Sequence, residues 1–292
     1  EFRRVLFRSK KQCLGKMPWA EISKVNGWMM SAETATFMKW GGLGVIASEL
    51  PDAFNQAYCN LGECLTVVTP IYQGNTGKKK ASFDGKTYEG AERKSVKVTK
   101  AGEISVPFVG ARSTLVKHKV GIYTGRFGVT DYIFLENERF FSINLHKDNP
   151  SAQDGCYVMN EFGINEVERF AFFSKAVYEL IKAICSLKIK TIKEPNILIA
   201  NDWHSGALAG LMKYFTTAQE EVGLMSTVLA ERLKHIPIVH IAHHLGYQGW
   251  DYDNTSKILN SLYEGLTTLV FKNAKAIKNS ISVGIGLFIT FI

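Results

Sequence analysis

Lys39-Trp40-Gly41-Gly42-Leu43-Gly44 is the stretch whose residue types and spacing bear most directly on chemistry. It follows a strand-like run, Trp28 to Glu33, and opens a helix-like run, Val45 to Phe54. Glycines at a strand-to-helix turn let backbone N–H groups approach a ligand closely, and the helix directs the positive end of its dipole the same way. The lysine adds a mobile point charge. Such a turn suits an anion, and a diphosphate in particular. Gly-Gly turns also join strands to helices in many α/β proteins that bind no phosphate. This one is not a Walker loop, because no Gly-Lys-Ser/Thr follows at the required spacing. It is also not the Gly-x-Gly-x-x-Gly of dinucleotide binders.

Two further strand ends carry polar groups. Asn196 to Ala200 reads as a strand ending in Asn201-Asp202-Trp203-His204, followed by a helix from about Ser205 to Phe215. Pro237 to Ala242 reads as another, ending in His243-His244. In an open parallel sheet, ligands bind at the carboxyl ends of the strands, so the three ends are expected to converge. Asp202 has two compatible roles: orienting His204, or capping the helix that follows, the cap taking the larger share.

The elements that must position these residues alternate between strand-like and helix-like runs, which predicts an α/β fold with a parallel sheet. Cys64 to Thr69 is a buried-strand pattern ended by Pro70, and Phe162 to Cys185 has the three- and four-residue apolar spacing of a long helix. Residues 73–91, rich in Gly, Lys and Asn, read as a mobile loop. The β-rich segments between residues 90 and 135 read as a hairpin elaboration.

At 292 residues, 46% hydrophobic and 21% charged, the chain has an ordinary soluble composition and enough length for a sizeable core. The net charge of +8 is partly local, at Arg3 to Lys16 and at Lys78-Lys79-Lys80. Neither patch is interleaved with aromatics, so nucleic acid is not an expected partner, and the triple lysine reads as a solvated loop. Five irregularly spaced cysteines without a C-x-x-C suggest reduced thiols in a cytoplasmic-type compartment. Residues 1–12 read as a non-native or disordered leader, 13–283 as the domain, and 284–292 as an apolar tail. Ile281 to Ile292 is too short to span a bilayer, and no membrane partner is expected.

Four blocks resemble the N-terminal domain of bacterial-type glycogen synthases and plant starch synthases. They are Ser31-Ala32-Glu33 through Lys39-Trp40-Gly41-Gly42-Leu43-Gly44 to Leu50-Pro51; Thr66 to Pro70 with Tyr72; Glu168-Arg169-Phe170; and Asn201-Asp202-Trp203-His204 with His243-His244-Leu245-Gly246-Tyr247-Gln248-Gly249. The resemblance implies a Rossmann-like parallel-sheet lobe of a two-lobed GT-B glycosyltransferase, with the second lobe absent from this stretch. It implies a retaining glucosyltransferase that elongates an α-1,4-glucan from ADP-glucose or UDP-glucose, with no metal or other cofactor. Lys39 and His204 take the catalytic places, with Gly41, Gly42, Leu43, Asp202, His243, His244, Tyr247 and Gln248 around the substrate. Location would be cytoplasmic, or plastid for a plant-like source. A lone lobe of this kind is expected to be inactive without its C-terminal partner lobe.

The chain departs from the family at Trp40, where a small or polar residue is usual, at Val45 in place of an acidic residue, and at His244 in place of an asparagine. Residues Tyr58 to Glu63 are also longer than the usual turn. Three other readings compete. His240, His243 and His244 cluster, but His-x-x-His-His is not His-Glu-x-x-His, and satisfied or sugar-facing histidines are the expectation. A nicotinamide-dependent dehydrogenase lacks its glycine fingerprint. A non-catalytic glucan-binding or regulatory module, with Trp40, Tyr247 and Trp250 stacking on sugar rings, is the main alternative.

Overall fold

The computed structural model describes residues 24–76, 78–109, 115–147, 155–243 and 255–278. A ten-stranded sheet runs through them in the order β10-β9-β1-β2-β8-β7-β6-β5-β4-β3. The chain enters through β1 (Asn26–Met30), α1 (Gly42–Tyr58) and β2 (Cys64–Pro70). It then builds β3 (Gly74–Asn75), β4 (Lys80–Phe83), β5 (Thr87–Glu89), β6 (Ser95–Val109), β7 (Leu115–Phe127) and β8 (Thr130–Glu136). A short α2 (Glu138–Phe141) and the long α3 (Glu166–Cys185) lead to β9 (Ile197–Asn201). A continuous helical stretch follows as α4 (Ala207–Gly210), a π-turn (Leu211–Phe215) and α5 (Thr216–Glu221). Then come α6 (Thr227–His235), β10 (Ile238–Ile241), α7 (Thr255–Tyr263) and α8 (Thr267–Lys278).

β10, β9, β1, β2 and β8 are all parallel, as the alternation of elements predicts. β1 is buried along its whole length, which is why it reads as a continuous apolar run. Its alternate side chains reach two cores. Val25 and Met29 join Leu65, Ile197 and Ile199 under Ala47 and Phe54 of α1. Trp28 and Met30 face the larger core formed with α3 and the later helices. Asn165 caps α3 by accepting from Glu168 N at 2.9 Å.

Two expectations change here. The described residues within 73–91 are not a mobile loop: they contain β3, β4 and β5, paired antiparallel in series, with β5 on β6. Thr130 to Leu135 is not part of an elaboration either, because β8 pairs parallel with β2 inside the main sheet. The antiparallel arm is β3 to β7, and it extends the same sheet. Glycine and lysine suggested flexibility in isolation, but pairing with a 15-residue strand orders them. The bounds of β1 and α1 also shift, and the segment after β1 is an irregular turn instead of strand.

Arg169 on α3 ties the site side of the lobe together. Its side chain is fully buried with no carboxylate partner among the described residues, and all five N–H donors meet backbone carbonyls. Nε donates to Phe140 O at 2.8 Å, one terminal nitrogen to Cys156 O and Val158 O, and the other to Ser142 O and Ile164 O. Arg169→Met is expected to destabilise the fold by at least about 3 kcal/mol, because several buried carbonyls lose their only donor. Urea unfolding measures this, and a loss below about 1 kcal/mol would show that those carbonyls find other partners.

Candidate functional site

The carboxyl ends of β1, β9 and β10 lie side by side, and at β1 the chain order reverses: β2 lies on one flank and β9 on the other. A crevice forms at such a switch point because the helices after the two strands depart to opposite faces. Beyond β1 the backbone turns tightly, Thr34 and Met38 exchanging N–H···O bonds of 2.9 and 2.8 Å. Phe37 anchors this turn, with the rings of Tyr88, Phe127, Tyr132 and Phe134 at 5.2–5.6 Å. Gly90 lets the arm come this close, since a Cβ there would lie 2.3 Å from Phe37 O.

The turn that follows is held from two sides. On the inner side the buried Glu33 side chain accepts from Trp40 N at 2.5 Å and Gly41 N at 2.8 Å through one oxygen, while the other accepts the Tyr157 hydroxyl. On the outer side Glu92, from the β5–β6 turn, accepts from Lys39 N at 3.2 Å. Lys79 pairs with Glu92, donates to Lys39 O and stands 4.3 Å over the Trp40 ring. The Lys39 side chain is exposed, and no partner is recorded for its ammonium among the described residues. Gly42 starts α1, and a Cβ there would meet nothing within 4 Å.

His204 faces this turn across Tyr157. It sits in a 3-10 turn (Trp203–Ser205) after Asp202, which adopts φ 64° and ψ −176°, a conformation otherwise nearly confined to glycine. The ring is stacked on Trp203 at 4.2 Å and met edge-on by Phe170 at 4.6 Å and Tyr157 at 5.5 Å. These aromatics fix the imidazole without using its nitrogens, both of which are buried without a partner among the described residues. Burial, with His243 nearby, pulls its pKa down to about 3, so the ring is neutral near pH 7. Asp202 Oδ1 and His240 Nε2 are likewise buried and unpartnered among the described residues. His243 is committed, its Nε2 lying 2.8 Å from Asn201 Oδ1. Asn201 donates in turn to Ser31 Oγ, and Ser31 to Glu33 O, at 3.1 and 2.7 Å.

Contacts through Glu33 and Tyr157 thus join the Lys39–Gly42 turn to His204, with Asp202 and His243 on the neighbouring strand ends. Leu43 is buried in the first turn of α1. His244, Tyr247, Gln248 and Trp250 lie outside the described residues. Three expectations need correction. The Gly41 N–H is engaged by Glu33 and does not point free at a ligand. Asp202 makes no side-chain cap, and it does not hydrogen-bond His204, whose nitrogens are both unpartnered. Lys79 is not a solvated bystander, because the arm carries it onto the Lys39 turn. Glu33 and Tyr157 have no sequence signal as a pair, being 124 positions apart.

A second cleft, of about 550 Å³, opens near the amino ends of β1, β2 and β8 beside Lys97, Arg126 and Lys193. None of its lining side chains is a buried polar group without a partner, whereas Asp202, His204 and His240 cluster at the carboxyl ends. Among the described residues no three His, Cys, Asp or Glu side chains are grouped to hold a metal ion.

Comparison with known proteins places the chain in a family. The family model described as the starch synthase catalytic domain matches residues 28–275. Glycogen synthase 1 of Geobacter metallireducens is 27% identical over 255 residues, which are 86% of this chain and 41% of the relative. Glycogen synthase of Myxococcus xanthus is 27% identical over 226 residues, 77% of this chain and 36% of the relative. The catalytic domain of Starch Synthase IV from Arabidopsis thaliana, solved bound to ADP and acarbose, aligns at TM-score 0.46 and 16% identity over 87% of this chain and 50% of that one. The chain belongs to the starch synthase catalytic-domain family, whose architecture is the GT-B kind. It spans about two fifths of the length of the glycogen synthases it matches.

The neutral state of His204 has a thermodynamic consequence. Between its ordinary value of 6.5 and about 3, only the unfolded chain binds the proton. The stability His204 contributes is thus complete above pH 6.5 and is lost as pH falls below it, by about 1.4 kcal/mol per unit. From pH 7.5 to 5, wild type is expected to lose about 2 kcal/mol more than His204→Gln in urea melts. Equal losses would contradict a buried neutral imidazole.

Proposed function

We propose that this lobe is the acceptor-side half of a retaining glucosyltransferase that elongates an α-1,4-glucan from nucleotide-activated glucose, with ADP-glucose as donor. The carrying observation is a turn, linked through Glu33 and Tyr157 to His204, that bears a lysine ammonium and a helix start at Gly42; neither that ammonium nor either nitrogen of the neutral imidazole has a partner among the described residues. In the reaction the bond from glucose C1 to the diphosphate oxygen breaks. A bond from C1 to the acceptor hydroxyl oxygen forms on the same face, and the hydroxyl proton leaves with the nucleoside diphosphate. Negative charge grows on the departing phosphate while the sugar becomes cation-like.

Lys39 and the Gly42 N–H stabilise the departing charge, and the direction of the α1 dipole adds to them. This arrangement requires no metal ion. Neutral His204 donates from one nitrogen and accepts at the other, which suits two sugar hydroxyls. A charged imidazole would oppose the cation-like sugar, so the burial that keeps it neutral supports the role. His243, held by Asn201, and Asp202 border the same crevice, with His244, Tyr247 and Gln248 assigned to the acceptor side by the family resemblance. The nucleotide base is assigned to a second lobe, and a reducing, cytoplasmic-type compartment fits the unpaired Cys59, Cys64, Cys156 and Cys185.

In the full-length protein, Lys39→Ala is expected to lower kcat/KM for ADP-glucose about 100-fold, while Lys78→Ala, on an exposed side chain, changes it less than twofold. Equal effects of the two would remove the basis for Lys39. Gly42→Ala is expected to leave the melting temperature unchanged or raised, since alanine is the better helix former and meets no protein atom, yet to lower kcat/KM about tenfold. Wild-type protein that binds malto-oligosaccharides but transfers no glucose would favour a glucan-binding module instead.

A further inference from the structure

Glu33 lies within a motif of the crevice but has no role in the reading above, and its surroundings are unusual. A buried acidic side chain occupies the two amides at the base of a lysine–glycine turn, where an external anion was expected. Its second oxygen accepts from the hydroxyl of Tyr157, 124 positions along the chain. Tyr157 is itself fixed on both flanks, since the carbonyls of Cys156 and Val158 are held by Arg169. Its ring then meets His204 edge-on at 5.5 Å. Burial, together with Cys156 and Glu33 nearby, pushes the Tyr157 phenol upward, which keeps its proton available to donate.

We propose that Glu33 is a positioning residue: through Tyr157 it locks the Lys39–Gly42 turn to the imidazole of His204, so that the diphosphate-facing and sugar-facing groups move as one body. The proposal deepens the glucosyltransferase reading and rests on it for the identity of the ligand. Glu33 need touch neither substrate. Its effect is geometric, because a departing phosphate and a cation-like sugar must be met at the same instant by groups on separate chain segments. Displacements of about 1 Å between such groups cost up to about 100-fold in rate. Glycine at position 44 is part of the device, since a Cβ there would lie 3.2 Å from Ala35 N and 3.4 Å from Glu33 Cβ.

The test uses Glu33→Gln, Glu33→Ala, Tyr157→Phe and the Glu33→Ala/Tyr157→Phe double variant of the full-length protein. Two readouts are needed: steady-state glucose transfer, and hydrogen exchange at the Trp40 and Gly41 amides without ligand. Glutamine keeps the shape and an acceptor for the two amides, so it is expected to retain kcat within about fivefold and leave exchange unchanged. Alanine is expected to lower kcat about 30-fold with donor KM altered less than threefold, and to speed exchange of both amides about tenfold or more. Tyr157→Phe should lower kcat about tenfold, and the double variant should be no worse than Glu33→Ala alone. Glutamine as damaging as alanine would overturn the proposal, pointing to a role of charge. Additive losses in the double variant, or unchanged exchange in Glu33→Ala, would overturn it as well. If Glu33→Ala does not fold, exchange in Tyr157→Phe decides: no acceleration at Trp40 and Gly41 counts against the link. Wild-type protein that transfers no glucose, with the exchange results as expected, would sink the proposed function and leave the mechanical coupling standing.

Discussion

The site side of this lobe depends on a single buried cation that has no ionic partner among the described residues. Arg169 is withdrawn from water on α3, and burial pulls its pKa down from the ordinary value. What offsets that cost is complete hydrogen bonding, five donors to five carbonyls drawn from residues 140 to 164. The guanidinium thereby joins α2, residues 156–158 and the approach to α3 at one point. The next residue on α3, Phe170, packs edge-on against His204. One turn of helix therefore places both Tyr157 and the aromatic cage of the imidazole.

From the opposite direction the antiparallel arm performs a similar task. Its strands form a continuation of the main sheet, and its Tyr88 and Phe127, with Tyr132 and Phe134 of β8, close around Phe37, two residues before Lys39. Glu92 and Lys79 then take the backbone N–H and carbonyl of Lys39, leaving its ammonium uncommitted. Trp40, where the resemblance leads us to expect a small or polar residue, has a local explanation here: its ring lies beneath Lys79, and a Cβ at Gly155 would lie 3.0 Å from Trp40 Cζ2. The lysine turn is thus stiffened by acidic groups on both flanks. Neither of them is recorded in contact with the lysine ammonium.

The crevice combines strain and unmet hydrogen bonding in a small space. Asp202 adopts a backbone conformation that favours glycine, although an aspartate gains no cap there. Buried donors and acceptors without partners cost free energy, on the order of 1–3 kcal/mol each, and folded proteins hold few of them. Among the described residues four such atoms, on Asp202, His204 and His240, lie on neighbouring strands, where the proposed hydroxyl-rich ligand would satisfy them. The buried Lys175 shows the contrasting, structural solution: Leu262 O, Glu264 and the Phe215 ring surround it, and it fastens α7 to α3.

Local pattern in the sequence was sufficient for the parallel core, for the body of α3 though not its start at Asn165 in place of Phe162, and for the placing of Asp202, His204 and His243 after strand ends. Those features depend on residues close in the chain, and periodicity reports such contacts directly. The strands β3, β4 and β5, the membership of β8 in the main sheet and the engagement of Lys79 were not legible, because strand pairing and ion pairing there join segments apart in the chain. Nor was the diversion of the Gly41 amide to Glu33, since a carboxylate six residues ahead of Lys39 has no local signature as its partner. Only the tertiary structure decided that His204 is neutral, because that follows from desolvation by Trp203, Phe170 and Tyr157 together. Chemistry by residue type is written along the chain; which of those groups is left free to act is settled by what folds against it.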